Sequence, residues 1–250
     1  MRTYLSTMND IGAETWIMHG SLLGWWWNRK IMPWDSDVDV QMSEGSMHYL
    51  AKYYNMTMHH FRLPGAEHGR DYLLEVNPHY LNASTTDWLN VIDARWIDTE
   101  SGLFIDITTL RVDRETPSDG NVPNMYCKDK HQYKYKDIFP LRDSEFESTP
   151  VKVPYAYSEL LEDEYGPKSL TNKDFSNHHF DEKQQIWIPD GLVLMLVRLN
   201  ARHELLTTGK WLPTYAWRGW QNSRMTIFGA QWRRTRRHRS YRGSQGRDWQ

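Results

Sequence analysis

The chain has almost no cysteine: Cys127 is the only one among its 250 residues. One thiol excludes an intrachain disulfide and, counted by cysteines, a Cys-based zinc site. Long apolar runs are also missing. The longest, residues 192–197, falls far short of the roughly 20 residues that a membrane-spanning helix needs, and no signal-peptide pattern opens the chain. Net charge is small, −2, but unevenly placed. Residues 233–250 hold seven arginines against one aspartate, +6, so the rest of the chain carries −8. An acidic body is the wrong electrostatic footprint for a nucleic-acid binder, and the arginine-rich end reads as a disordered basic tail. Internal repeats and low-complexity linkers are lacking as well. The expectation is one domain over residues 1–230, followed by the tail at 231–250.

What the chain does have is aromatic bulk, with 13 Trp and 14 Tyr against a polar mean hydropathy of −0.76. Rings in that number supply a core in a chain of otherwise modest hydrophobicity. Two glycosylation sequons, Asn55-Met56-Thr57 and Asn82-Ala83-Ser84, are compatible with a secretory-pathway protein.

The stretch with chemistry in it is His19-Gly20-Ser21-Leu22-Leu23-Gly24, followed ten residues later by Trp34-Asp35-Ser36-Asp37-Val38-Asp39-Val40. Val38 and Val40 mark a strand, on which alternate residues share a face, so Asp37 and Asp39 point the same way. Two carboxylates held together repel unless a cation lies between them, and a hard divalent ion such as Mg²⁺ also binds phosphate oxygens. Ser21 reads as a helix start, with a short buried helix over 22–27, and Pro33 prevents its extension.

Around this stretch the periodicity predicts a helix near the N-terminus through Tyr4, Leu5, Met8 and Ile11, ending at Gly12, and another over 47–54. Strands are expected at 38–42, 72–76, 91–97 and 102–107. Residues 82–87 read as a polar loop and 113–137 as a long surface excursion. Residues 138–170 read as irregular chain around a helix at 157–164, and a further helix is expected over 192–206. The adjacent pairs His59-His60 and His178-His179 read as surface residues, and Trp25-Trp26-Trp27 as core packing beside the glycine–serine turn.

Phe104-Ile105-Asp106-Ile107 places one acid in an apolar strand, which is costly unless the acid is paired or binds metal. Arg95 is the obvious ion-pair partner. Together with Asp37 and Asp39, however, Asp106 makes a third metal-site carboxylate. A Gly-Ser turn, an Asp-x-Asp strand and one Asp on a later strand is the layout of nucleotidyltransferase-fold enzymes. The expected fold class is therefore α+β, a mixed sheet flanked by helices with a less regular C-terminal subregion.

These motifs resemble the signature of the LicD/fukutin family: Gly20-Ser21-Leu22-Leu23-Gly24, Ile31-Met32-Pro33-Trp34-Asp35-Ser36-Asp37-Val38-Asp39 and Phe104-Ile105-Asp106-Ile107. Phe139-Pro140-Leu141, Val151-Lys152-Val153-Pro154 and Leu161-Glu162-Asp163-Glu164-Tyr165-Gly166 resemble its closing segment, so the likeness runs over residues 10–170. Gly24-Trp25-Trp26-Trp27-Asn28 and Asp93-Ala94-Arg95-Trp96-Ile97-Asp98 resemble the fungal branch linked to mannosylphosphate transfer onto cell-wall glycans. Bacterial members usually have a basic residue at the place of Trp27 and a second glycine at the place of His19.

The resemblance implies transfer of a phospho-substituent from a nucleotide-activated donor, of the GDP-mannose, CDP-ribitol or CDP-choline type, to a glycan hydroxyl, in the Golgi or another secretory lumen, with a membrane anchor lying outside this chain. On that reading Asp37 and Asp39 hold Mg²⁺ or Mn²⁺, and Asp106 completes the site and takes the acceptor proton. Gly20 and Ser21 bind phosphate through backbone N–H groups at a helix N-terminus. Asp35 supports or joins the metal ligands, and Arg29, Lys30 and Arg95 meet the donor's charge. The competing readings are a catalytically silent regulator of a separate glycan phosphotransferase and a nucleotidyltransferase acting on a small molecule.

Overall fold

The computed structural model describes residues 1–35, 37–114 and 122–191. The helix expected over 192–206 and the basic tail lie outside the described residues.

The chain begins with α1 (Arg2–Ile11), which buries Tyr4, Leu5 and Met8 at helical spacing. Gly12 ends it at φ 72°, a left-handed conformation that glycine adopts without a Cβ penalty, and Ala13 N–H reaches back to the Met8 carbonyl at 2.9 Å. β1 (Thr15–Ile17) and α2 (His19–Asn28) follow, then β2 (Asp39–Ser43) and α3 (Glu44–Tyr53). Ser43 caps α3 by accepting the Ser46 N–H.

A meander comes next: β3 (Thr57–Phe61), β4 (Arg70–Val76), β5 (Ala94–Asp98) and β6 (Phe104–Asp113). Then come β7 (Asn124–Tyr126), β8 (Gln132–Lys134), α4 (Tyr135–Ile138), the hairpin β9 (Arg142–Phe146) and β10 (Thr149–Val153), and α5 (Tyr157–Tyr165). A small sheet closes the described chain: β11 (Asp174–Phe175), β12 (His178–Asp181) and β13 (Ile186–Pro189).

The fold is α+β, as expected. The main sheet runs β1-β2-β6-β5-β4-β3, with β7 and β8 continuing from the far end of β6. Every pairing in it is antiparallel except β2 with β6, which is parallel. Alternation and register together sort the residues by face. One face carries Val40, Met42, Leu74, Trp96, Ile105 and Ile107, all buried. Trp96 meets Tyr4 of α1 edge-on and donates its indole N–H to Thr3 Oγ1, so α1 covers that face. Asp39, Arg95 and Asp106 occupy the other.

Four sequence expectations change. The α2 helix begins at His19, because the Ser21 hydroxyl accepts the Asp39 N–H instead of capping a helix of its own. The 113–137 excursion contains the β7–β8 hairpin, which extends the sheet. Residues 138–170 hold the β9–β10 hairpin as well as α5, and residues 57–61 form the edge strand β3. The strand expected from 91 begins at Ala94; Asp93, just before it, points its carboxylate at Arg111 and Lys128 in the interior.

A second, smaller core joins Met32, Phe180 and Trp187 to Trp27, Trp34 and Phe175. It fastens the small sheet onto α2 and the Pro33–Trp34 turn, just ahead of the aspartate strand. Trp25 is buried against Tyr157 and bonded to Ser144 Oγ, and Trp27 lies between Phe180 and Trp187, so both serve as packing residues. Of the adjacent histidines, His60 is exposed and pairs with Asp71, whereas His59 is half-buried on the Trp96 ring.

Candidate active site

The parallel β2–β6 pair sets the site. Its register places Asp39 directly beside Asp106, and the antiparallel β5–β6 register places Arg95 on the other flank of Asp106. Lateral neighbours in a sheet point the same way, so two carboxylates and one guanidinium share a face in a row. Arg95 Nε donates to Asp106 Oδ1 at 2.9 Å, and its guanidinium stacks over the Phe104 ring at 4.4 Å. The ion-pair partner read from the sequence is thus present, together with the second carboxylate.

The β2–β6 contact continues one residue ahead of the strand, where Asp106 N–H donates to the Val38 carbonyl at 3.0 Å. Asp37 lies two residues ahead of β2, in backbone that is not part of the strand. Asp39 is buried, with its backbone held by the Ser21 hydroxyl at 3.2 Å, while Asp37 and Asp106 are partly exposed. Asp39 and Asp106, flanked by Arg95, therefore form a short charged ladder that is buried at Asp39 and partly exposed at Asp106. An all-oxygen donor set of this kind suits a hard cation such as Mg²⁺ or Mn²⁺.

Asp35 stands at the N-terminus of α2. A Cβ on Gly20 would lie 2.6 Å from Asp35 Oδ2, so the glycine is what lets the carboxylate approach the helix. A negative charge there is favoured by the helix dipole. The anion facing Gly20 and Ser21 is thus one from the chain itself. Gly24, one turn on, faces the Lys30 backbone carbonyl, which brings the returning chain close against the helix.

Arg29 lies at the other end of α2, about 13 Å of helix rise from Gly20, while the Lys30 backbone folds back against Gly24. Arg29 ends the helix at φ 63°, with its guanidinium 4.0 Å over the Trp25 ring and bonded to the Trp25 carbonyl. The structure therefore sets Asp39, Asp106 and Arg95 in one row, ties Ser21 to Asp39 and Asp35 to Gly20, and turns the Arg29 guanidinium onto Trp25 at the end of α2.

Sequence reasoning did not single out the side chains around His19. His19 is fully buried, and its Nδ1 is bonded to both oxygens of Glu164, at 2.8 and 3.0 Å. Among the described residues, two groups of His, Cys, Asp or Glu side chains bring three ligand atoms within 4.8 Å of one another: His19, His131 and Glu164, and Cys127, Asp129 and His131; Asp37, Asp39 and Asp106 do not form a third. The Cys-x-Asp-x-His spacing at 127–131 was the available signal. Among the described residues, no helix is long and apolar enough to cross a membrane.

Comparison with known proteins agrees with this geometry. A family model described as LicD/FKTN/FKRP, nucleotidyltransferase domain, matches residues 12–156. The chain is 33% identical over 155 residues to Mannosyltransferase regulator 4 of Saccharomyces cerevisiae, covering 61% of this chain and 13% of that protein. It is 36% identical over 112 residues to Mannosyltransferase regulator 14 of the same yeast, covering 45% of this chain and 12% of that protein. The chain thus spans about an eighth of the length of these relatives.

Proposed function

The chain belongs to the LicD/FKTN/FKRP nucleotidyltransferase-domain family, and from that membership we propose that it moves a phospho-substituent from a nucleotide-activated donor to a glycan hydroxyl, with Asp37, Asp39 and Asp106 holding Mg²⁺ or Mn²⁺. The observation that carries the reading is the parallel register of Asp39 with Asp106, flanked by Arg95. Strand pairing, not loop conformation, fixes the spacing of the two acids, so the charged ladder is in place before any ligand arrives.

When bound, the ion neutralises the donor's pyrophosphate and lowers the cost of charge on the departing nucleotide. The chain's own contribution is positional. Arg95 fixes the side-chain direction of Asp106, and the Ser21 hydroxyl fixes the backbone of Asp39. Asp35, held at the α2 N-terminus, adds negative charge behind the pair. In this proposal Asp106 is the base for the acceptor hydroxyl. The names of the yeast relatives support a mannose-containing acceptor or donor, with which the secretory location proposed from the sequons is compatible. Asn55 and Asn82, in the two sequons, are both exposed, as glycosylation requires.

A second reading rests on a specific observation: both yeast relatives are named as regulators. In that case the acid ladder binds donor and metal without turning them over. Incubating the purified chain with GDP-mannose, CDP-ribitol or CDP-choline and Mn²⁺, and following nucleotide release, separates the two. Transferase activity predicts release that falls at least about 100-fold in Asp39→Asn. A donor that raises the melting temperature with no release in any pairing supports the regulator. Near-normal release by Asp39→Asn refutes the metal assignment.

A further inference from the structure

We propose that Cys127, Asp129, His131 and His19 form a second metal site, for a zinc-type cation, which ties the β7–β8 turn to the N-terminus of α2. The turn itself gathers three donors. Cys127 N–H donates to the His131 carbonyl at 3.1 Å, and Lys130 adopts a left-handed φ of 74°, so residues 127–131 close on themselves. Cys127 Sγ, an Asp129 oxygen and a His131 ring nitrogen consequently lie within 4.8 Å of one another. His131 Nδ1 is enclosed and stands 2.9 Å from Asp129 Oδ1, out of line for a hydrogen bond to it. Cys127 Sγ donates to the same Asp129 oxygen at 2.5 Å, so the turn's donors already converge on Asp129, and an entering ion would draw them apart.

His19 approaches the turn from α2. Its Nε2 is 3.8 Å from Asp129 Oδ2, and its ring centroid is 4.7 Å from that of His131. Tetrahedral zinc with bonds of about 2.0–2.3 Å separates its ligand atoms by roughly 3.3–3.8 Å, so the His19–Asp129 distance already matches one edge, whereas Cys127 and His131 stand closer to Asp129 and would spread on binding. Glu164 on α5 holds His19 Nδ1, which directs Nε2 inward as carboxylates do behind metal-bound histidines. Gln41 donates its amide N–H toward Cys127 Sγ at 3.6 Å, a contact that favours sulfur carrying negative charge.

The donor chemistry separates this site from the aspartate ladder. Thiolate and imidazole select zinc-class ions, whereas carboxylates alone suit magnesium and manganese. One thiolate, one carboxylate and two neutral imidazoles also balance the charge of a divalent ion. Cysteine counting had argued against zinc, but a site with a single sulfur needs partners distant in sequence, and the fold supplies His19, 108 positions away. Entry is available through His131, which with Cys127 lines a cleft of about 840 Å³. The two sites share one sheet face, with Gln41 two residues along β2 from Asp39.

The test uses the 250-residue chain stripped with a chelator and reloaded with Zn²⁺ or Co²⁺ alone. The expected result is about one tightly held equivalent of zinc and, in the cobalt form, a near-ultraviolet sulfur-to-cobalt charge-transfer band. Cys127→Ser should abolish the band, and His131→Gln should weaken zinc binding by about tenfold or more. Asp106→Asn should leave both the band and the zinc in place, because its carboxylate belongs to the other site. A folded wild-type chain that retains less than about a tenth of an equivalent and gives no band overturns the proposal without recourse to any variant. A band that survives Cys127→Ser, or disappears with Asp106→Asn, also overturns it.

Discussion

Gly20 and Gly24 are one turn apart on α2 but meet different obstacles. A methyl group at Gly20 runs into the end of the Asp35 side chain and must shift that carboxylate, whereas at Gly24 it runs into the Lys30 backbone carbonyl. Gly20→Ala should therefore change stability by no more than about 1 kcal/mol, since helix propensity offsets the contact, while displacing Asp35 and lowering turnover. Gly24→Ala should cost about 1–3 kcal/mol through overpacking. Urea unfolding alongside nucleotide release checks both. Asp93 makes a different case. It is fully buried and neutralises two buried cations, with Arg111 Nη2 at 3.0 Å and Lys128 Nζ at 2.8 Å. Asp93→Asn leaves both without their counter-charge and should lose about 3–5 kcal/mol in the same unfolding assay. Asp93 stood in the sequence only as part of a family cue. Its role was not legible there because Arg111 and Lys128 come to it from two different strand ends.

At the level of elements, the site strands could be read from the sequence and the hairpins could not. Val38-Asp39-Val40 and Ile105-Asp106-Ile107 alternate acid with β-branched residues, a pattern that only a strand explains. β7, β8, β11 and β12 are two to four residues long and carry no such period. Pairing creates them, and pairing is not a local property. The α2 start was misplaced by two residues because the Ser21 hydroxyl is spent on β2.

The β5–β6 turn yields a pH prediction. Burial alone raises the Asp98 carboxyl, but the N–H groups of Ser101 and Glu100 and the Arg70 guanidinium at 2.7 Å outweigh it and hold the group below its ordinary 3.8. A depressed carboxylate stabilises the fold above the unfolded value and loses that contribution as pH falls through the folded one. Wild type should therefore be more stable than Asp98→Ala near neutrality, and the gap should narrow below about pH 3.8. Urea titrations of both proteins at neutral and acid pH measure it.

Over the molecule as a whole, the buried aromatic side chains among the described residues are divided between two cores. The larger, around Trp16 and Trp96, supports the sheet, and the smaller, around Trp187, braces the turn ahead of the acids. Trp187→Ala should cost about 3–5 kcal/mol and should also reduce donor turnover by loosening Trp34, whose ring packs 4.8 Å from that of Trp187. Thermal unfolding and nucleotide release, measured on one preparation, report both effects. The abundance of tryptophan was plain from composition, but its division between two cores depended on a small sheet that the sequence does not outline.

Among the described strands one pairing is parallel, and it should shape the order in which the protein forms. Strands β3 to β6 are joined in sequence and zip by short-range contacts, each strand beside the one before it. Asp39 and Asp106 are 67 residues apart and meet only when β2 docks on the finished meander. Closing so long a loop is slow and entropically costly until the meander rewards it. The face carrying Asp39 and Asp106 should thus assemble late on folding, and a partner or ion bridging β2 and β6 should act as a latch on the native state, slowing amide exchange along both strands.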